Sequence, residues 1–282
     1  MIRLCAFADE ADKMVDGQIA ALKRNKIGLI ELRGLDGVNI GKLSEDEAHD
    51  YAKKFSDAGI KVWSIGSPIG KVDISVDIDE YLETVRHICR LARIFDTDKI
   101  RMFSFFGAYD YEDKVIDNLK KMVAVAAEEG VKLYHENEKE IFGDTLERVE
   151  KLMASVDGLG FIYDPANYLE VGEAADVTLD ALHAKTDYFH IKDVIAESSV
   201  LVPAGHGDGK IDEIVARIED DKVLTIEPHL MVFEGYSDID NTEMKNKFTF
   251  ADNNEAFDAA VAALKGILTE AGYKETEKGF ER

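Results

Sequence analysis

The sequence predicts a single (β/α)8 barrel, and three observations predict it. Eight short runs rich in β-branched and aromatic residues are spread along the 282 residues. Longer amphipathic stretches separate them, as a parallel sheet with crossover helices requires. Groups able to bind a metal end four successive late runs. At 46% hydrophobic residues the chain can fill one large core, and a barrel of this kind commonly takes about 250 residues, so a single domain over 1–282 is expected.

In chain order the strand-like runs are Arg3 to Ala8, Leu29 to Arg33, Val62 to Gly66, Ile100 to Phe105, Val131 to Glu136, Gly160 to Asp164, Tyr188 to Lys192 and Val223 to Glu227. Between them Ile78, Leu82, Val85 and Cys89 recur at helical spacing, as do Val115, Leu119, Met122, Val123 and Ala126, so these faces are expected to pack on the sheet. Ser44 before Glu47 and Asp144 before Glu147 read as helix starts that satisfy free backbone donors. Gly59, Gly130 and Gly272 read as helix stops. A doubly wound open sheet shares the βα rhythm, but eight evenly distributed units favour closure. Val232 to Asn253 reads as a long loop after the eighth strand, either a cover for the barrel mouth or a surface excursion, and the charged stretch Tyr273 to Arg282 as a peripheral tail.

Aspartate and glutamate number 57 against 34 lysines and arginines, a formal charge of -23. Such a balance repels a polyanionic backbone and argues against nucleic acid as a partner, while leaving a small polar substrate open. Cys5 and Cys89 are far apart in sequence and read as buried free thiols. No run approaches the about 20 apolar residues that span a bilayer, so a soluble cytoplasmic protein without a membrane partner is expected.

Glu136, Asp164, His190 and Glu227 stand near the ends of the fifth to eighth runs. In a parallel barrel all C-terminal strand ends face one mouth, so groups distant in sequence converge there. Three carboxylates and one imidazole suit a divalent cation, with manganese the leading expectation, magnesium fitting the same hard oxygens, and cobalt or zinc accommodated by the imidazole. Taken singly, each has an ordinary reading: solvated strand-end charges for Glu136 and Glu227, a turn cap before Pro165 for Asp164, a hydrogen-bonded core histidine for His190.

The ordered motifs IELRG at 30–34, SIGSPIGK at 64–71, RMFSFF at 101–106, HEN at 135–137, DPAN at 164–167, HIKD at 190–193 and EPH at 227–229 resemble the sugar phosphate isomerase/epimerase family of xylose-isomerase-like TIM barrels, over nearly the whole chain. The wider superfamily also holds polyol dehydratases and apurinic endonucleases. The resemblance implies that Glu136, Asp164, His190 and Glu227 ligate a divalent metal, and that Glu136 and Glu227 are the catalytic pair that removes and returns a proton through an enediolate. The chain departs from the pattern at His206, where relatives often place an acid, and at Asn167, where the endonucleases have histidine.

A sugar or polyol substrate is thus expected, and a homo-oligomer is compatible with the family. Around the four ligands, Asn137, His229 and Asp193 are candidates to orient ligands or meet sugar hydroxyls. Lys192 shares a strand face with His190 and is read chiefly as a salt-bridge partner, and Glu31 and Arg33 as a pair across the barrel. Ser67, Lys71 and glycines 205, 207 and 209 are candidates for a phosphate, although Asp208 opposes an anion and a simple turn explains the glycines equally. Trp63, Asn167 and His206 complete the substrate candidates. The alternatives to an isomerase or epimerase are an inosose-type keto-polyol dehydratase, a non-catalytic sugar-binding barrel and, with few spare histidines to support it, an apurinic endonuclease.

Overall fold

The computed structural model describes residues 1–232 and 248–282. Eight parallel strands close on themselves: β1 (Ile2–Ala6), β2 (Leu29–Leu32), β3 (Lys61–Gly66), β4 (Lys99–Met102), β5 (Lys132–Glu136), β6 (Gly160–Tyr163), β7 (Tyr188–Ile191) and β8 (Lys222–Ile226) follow in order around the sheet, and β8 returns to pair with β1. Each strand-like run of the sequence overlaps one of them, and four of the strands begin one residue earlier than the run, at Ile2, Lys61, Lys99 and Lys222. The helices include α1 (Val15–Arg24), α2 (Glu45–Ala58), α3 (Ile78–Ile94), α4 (Glu112–Glu128), α5 (Leu146–Ser155), α6 (Pro165–Glu170), α7 (Ala175–Leu182), α8 (Ile211–Ala216) and α9 (Asn253–Glu270). Most of the loop read at Val232 to Asn253 lies outside the described residues.

Strand alternation sorts side chains into two cores. Outward positions such as Leu4, Ile30, Val62, Ile100, Leu133, Phe161, Phe189 and Leu224 join the helices in one large hydrophobic layer. Inward positions Cys5, Tyr134, Ile162, Tyr188 and Val223 fill the lower barrel with Leu29 and Trp63 against them. The register of β2 against β3 shifts at Ile30/Glu31, which leaves Trp63 as the extra residue and sets Ser64 beside Glu31.

Helix punctuation is partly as read. Ser44 and Glu47 form a reciprocal capping box, and Gly59, at φ 74°, ends α2 in the left-handed region. Asp144 does not cap α5. The chain is offset by one residue, so Thr145 takes the extended cap position, while Asp144 accepts hydrogen bonds from Tyr109 Oη and Arg148 Nη1, both at 2.6 Å. The charged tail is a hairpin of Lys274–Thr276 and Gly279–Glu281 whose second strand pairs antiparallel with the start of β1 and buries Phe280. It closes the barrel's N-terminal rim, opposite the end where the late acids gather.

Candidate metal centre

Ligand atoms of Glu136, Asp164, His190 and Glu227 lie within 4.8 Å of one another, and all four residues are buried. Each sits within one residue of the end of β5, β6, β7 or β8, on the inward face. Glu136 Oε2, Asp164 Oδ2 and Glu227 Oε2 accept no hydrogen bond among the described residues. Cations stand at ion-pair distance without hydrogen-bond alignment: Arg101 at 3.2 Å from Glu136, Lys192 at 3.0 Å from Asp164 and His190 Nδ1 at 3.0 Å from Glu227. Buried carboxylate oxygens with no donor are costly unless a cation satisfies them, so this donor set fits a hard divalent ion.

Asp164 serves two purposes with its two oxygens. Oδ1 accepts the backbone N–H groups of Ala166 at 2.9 Å and Asn167 at 3.2 Å, capping α6 with Pro165 at its first position, and Oδ2 faces the other ligands. The cap and the metal ligand, rival readings of the sequence, coexist in one side chain.

Below the ligands lies a polar layer in which Glu31 and Arg33, expected to pair with each other, take separate partners, and which also holds Arg101. Glu31, on β2, is wholly buried and accepts from Tyr188 Oη at 3.0 Å and Thr225 Oγ1 at 3.0 Å, and it faces His190 Nε2 at 3.2 Å. His190 Nδ1 points the other way, 2.6 Å from Glu136 Oε1. Arg33 takes partners other than Glu31: Asp9 in a two-pronged pair at 2.9 Å each, Glu10 at 3.2 Å and Glu227 Oε1 at 2.9 Å. Arg101 lies between the rings of Phe7 and Phe103, at 5.0 Å from each. Inward-facing charges within or just past a strand were the available signal for Glu31, Arg33 and Arg101, because a barrel core admits a charge only beside a partner.

Electrostatics follow from this crowding. Burial lifts the Asp164 carboxyl to about 7, with Lys192 opposing and Glu136 and Glu227 reinforcing the rise. Burial likewise pushes Glu10 to about 8 against the pull of Arg33. Burial works against the charged form of Glu227, yet the imidazoles of His190 and His229 hold its carboxyl well below the usual range. For His190, burial disfavours the imidazolium but Glu136 and Glu31 outweigh it and raise its pKa well above the ordinary value. Burial lowers His229 to about 4.

Glu10, Glu227 and His229 also bring ligand atoms within 4.8 Å of one another. Arg33 already supplies the positive charge there, with Nη1 2.9 Å from Glu227 and 3.5 Å from His229 Nε2. His229 thus stands at the mouth as expected. It adopts φ 45°, uncommon for a residue with a side chain, while its N–H donates to Glu10 Oε2 at 2.8 Å.

The remaining substrate candidates divide by position. Lys192 pairs with Asp164, and Lys71 pairs with Glu138 at 3.1 Å above the Phe103 ring. Asn137 is engaged in holding the backbone of Asp164, donating to its carbonyl and accepting its N–H at 2.9 Å each, and Asn167 donates to the Asn137 carbonyl at 2.8 Å. Both shape the site rather than line it. Ser67 donates to the Arg101 carbonyl at 2.5 Å and accepts the Ile69 N–H at 3.2 Å, tying the ends of β3 and β4 together. Trp63 does not reach the mouth: it lies three residues before the end of β3, in the lower barrel, with Arg3 at 5.1 Å and Lys99 at 4.8 Å from its ring. His206 is exposed, edge-on to Phe248 at 5.6 Å.

Asp193 corrects two expectations. Its carboxylate accepts the N–H groups of Gly205 at 2.8 Å, Gly207 at 3.0 Å and Gly209 at 2.9 Å, together with its neighbour Val194 at 2.9 Å. The glycine amides considered for phosphate are filled by the chain's own acid, and Asp193 is thereby withdrawn from substrate. A Cβ on Gly207 would come within 2.4 Å of Asp193 Oδ1, so only glycine brings the backbone close enough.

A family model described as xylose isomerase-like TIM barrel matches residues 19–267. Among solved structures, the chain is similar to the probable 3-DHS dehydratase AsbF involved in petrobactin synthesis from Bacillus anthracis, at 16% identity and TM-score 0.71, covering 94% of this chain and 99% of that one. It is similar to an L-ribulose 3-epimerase at 20% identity and TM-score 0.69, covering 96% of each. It is also similar to the IolI protein with a binding zinc atom, at 14% identity and TM-score 0.71, covering 95% of this chain and 99% of that one. At such identities these likenesses establish the fold alone. No curated protein matches the sequence.

Proposed function

The chain belongs to the xylose isomerase-like TIM barrel family, and from that membership we propose that it is a divalent-metal-dependent isomerase or epimerase of a monosaccharide or its phosphate. One observation carries the reading: three buried carboxylate oxygens that have no hydrogen-bond donor among the described residues converge with His190 Nδ1 at the mouth. Glu136, Asp164, His190 and Glu227 would hold the cation, with manganese proposed for this mostly oxygen set. When bound, the ion supplies Lewis-acid stabilisation of negative charge developing on a substrate oxygen.

Two further tasks fall to the chain's own residues. Glu136 and Glu227 reach the mouth from β5 and β8, and each is a base able to take a proton from a carbon next to a carbonyl and return it. Return to the same carbon from the other face inverts it, and return to the adjoining carbon moves the carbonyl. Arg33 and Arg101 hold these carboxylates in place, and Lys192 neutralises Asp164.

Glu10 favours a second reading, a keto-polyol dehydratase. Its carboxyl, lifted to about 8 by burial, keeps its proton at neutral pH and can serve as an acid for a departing hydroxide. A manganese-supplemented screen of ketoses, aldoses, their phosphates and inososes, read by mass and by deuterium uptake from solvent, separates the two. Deuterium gain without loss of water supports the isomerase or epimerase; a product lighter by one water supports the dehydratase; no turnover of any of them removes both.

A further inference from the structure

We propose that Glu31 is the positioning residue that selects the His190 tautomer able to ligate a divalent cation through Nδ1, an inference that rests on the metal-site reading above. Neither the metal cluster nor the sequence motif assigns Glu31 this role. It arises from what surrounds a carboxylate set one layer below the ligands.

Glu31 is only an acceptor when ionised, and its two oxygens meet donors. Oε1 takes the Tyr188 hydroxyl at 3.0 Å, and Oε2 takes the Thr225 hydroxyl at 3.0 Å and faces His190 Nε2 at 3.2 Å. A proton is therefore held on Nε2, on the side away from the mouth. Nδ1 faces Glu136 Oε1 at 2.6 Å and Glu227 Oε2 at 3.0 Å, so without a cation it too carries a proton. A cation bound among the orphaned oxygens would replace that proton and leave Nδ1 as the ligand, while Glu31 keeps the proton on Nε2.

Ring rotation offers no escape from this arrangement. Phe7 meets the imidazole edge-on at 5.2 Å and Tyr188 at 5.6 Å, so the ring is packed on two sides. Tyr188 thus both packs His190 and orients the carboxylate that orients His190. A metal-bound imidazole commonly donates its other N–H to a carboxylate, which sharpens its direction and its basicity. Here that carboxylate comes from β2, across the barrel from the late strands that carry the ligands.

Glu31→Gln tests this without changing shape. Its amide can donate to Nε2, which moves the imidazole proton to Nδ1 and blocks the lone pair, the same logic by which an amide in place of a triad carboxylate traps the wrong tautomer. Cobalt(II) chloride is titrated into the metal-stripped protein and followed by calorimetry and by the visible band of bound cobalt. The expected result is affinity weaker by about 10-fold to 100-fold, a changed band, and partial recovery in Glu31→Asp. A purely structural Glu31 would lower the melting temperature and leave the affinity and band of the folded protein as they were, and that result overturns the proposal.

If Glu31→Gln does not fold, Thr225→Val removes the donor that orients Oε2 while keeping side-chain size. Affinity weaker by roughly 3-fold to 10-fold supports the proposal, and unchanged affinity overturns it. Wild-type protein that takes up no cobalt overturns the metal-site reading itself, an outcome distinct from a wild type that binds and a Glu31 variant that binds equally well.

Discussion

At the N-terminal end of the barrel Lys132 meets Asp187 at 3.3 Å and the Met1 amino group meets Asp221 at 2.9 Å, with the Asp221 side chain 69% exposed. At the C-terminal end Arg33 meets Glu227 at 2.9 Å and Lys192 meets Asp164 at 3.0 Å, with no side chain in either pair more than 6% exposed. The same strands supply both ends by the same alternation. Water serves the lower charges, and pairs of that kind contribute about 0–1 kcal/mol. The upper charges have left water, so every oxygen there needs a protein donor or a cation, and among the described residues three oxygens have no hydrogen-bond donor. Ion pairs alone do not mark a site; buried acceptors left over after pairing do.

This contrast breaks most sharply at the two glutamates. Glu136→Gln or Glu227→Gln is expected to lower turnover by about 100-fold to 10,000-fold while the circular dichroism spectrum is retained, because shape is kept and the proton acceptor is lost. Unchanged turnover in both variants would make the upper end as inert as the lower. Next in size, metal chelation is expected to lower the melting temperature by several degrees, since an ion 1,000-fold above its dissociation constant stabilises by about 4 kcal/mol. Scanning calorimetry with and without chelator checks this.

Asp193→Ala sharpens the comparison from the side of the mouth. It strips the N–H groups of Val194, Gly205, Gly207 and Gly209 of their acceptor, and a loss of about 3 kcal/mol in urea unfolding is expected. The pH response follows. Asp164 and Glu10 have folded pKa values raised to about 7 and about 8, so their contribution is full below the ordinary carboxylate range and is lost as pH rises through those values. Glu227 and Glu31 are lowered, and theirs is lost only as pH falls below that range. Metal-free protein should therefore be less stable in urea unfolding at about pH 8 than at about pH 6, by roughly 3–4 kcal/mol, and bound metal should flatten the difference. Lys132→Met, at the lower end, is expected to cost under about 1 kcal/mol and to leave turnover unchanged.

The strands, the Ser44 cap and the stops at Gly59 and Gly272 were legible because each depends on neighbours in sequence. The late acids and His190 were legible because they fall at corresponding places in successive βα units. Trp63 was misplaced because a strand run shows which face a side chain takes more readily than how far down the barrel it lies, and the shift at Ile30/Glu31 is invisible in the composition of either strand. Asp193 and the glycines could not be joined in advance, since their union depends on a loop folding back over 12 to 16 residues.

By itself the amino-acid sequence determined the barrel, its strand boundaries within a few residues, and the residue types gathered at its mouth, because periodicity and local capping act over short stretches of chain. Tertiary structure alone decided which partner each charge received. It sent Arg33 to Asp9, Glu10 and Glu227, placed Glu31 beneath His190, and filled the glycine amides with Asp193. Those choices depend on distances between strands far apart in sequence, and in a dry interior a fraction of an ångström separates a satisfied carboxylate from one that still requires a cation.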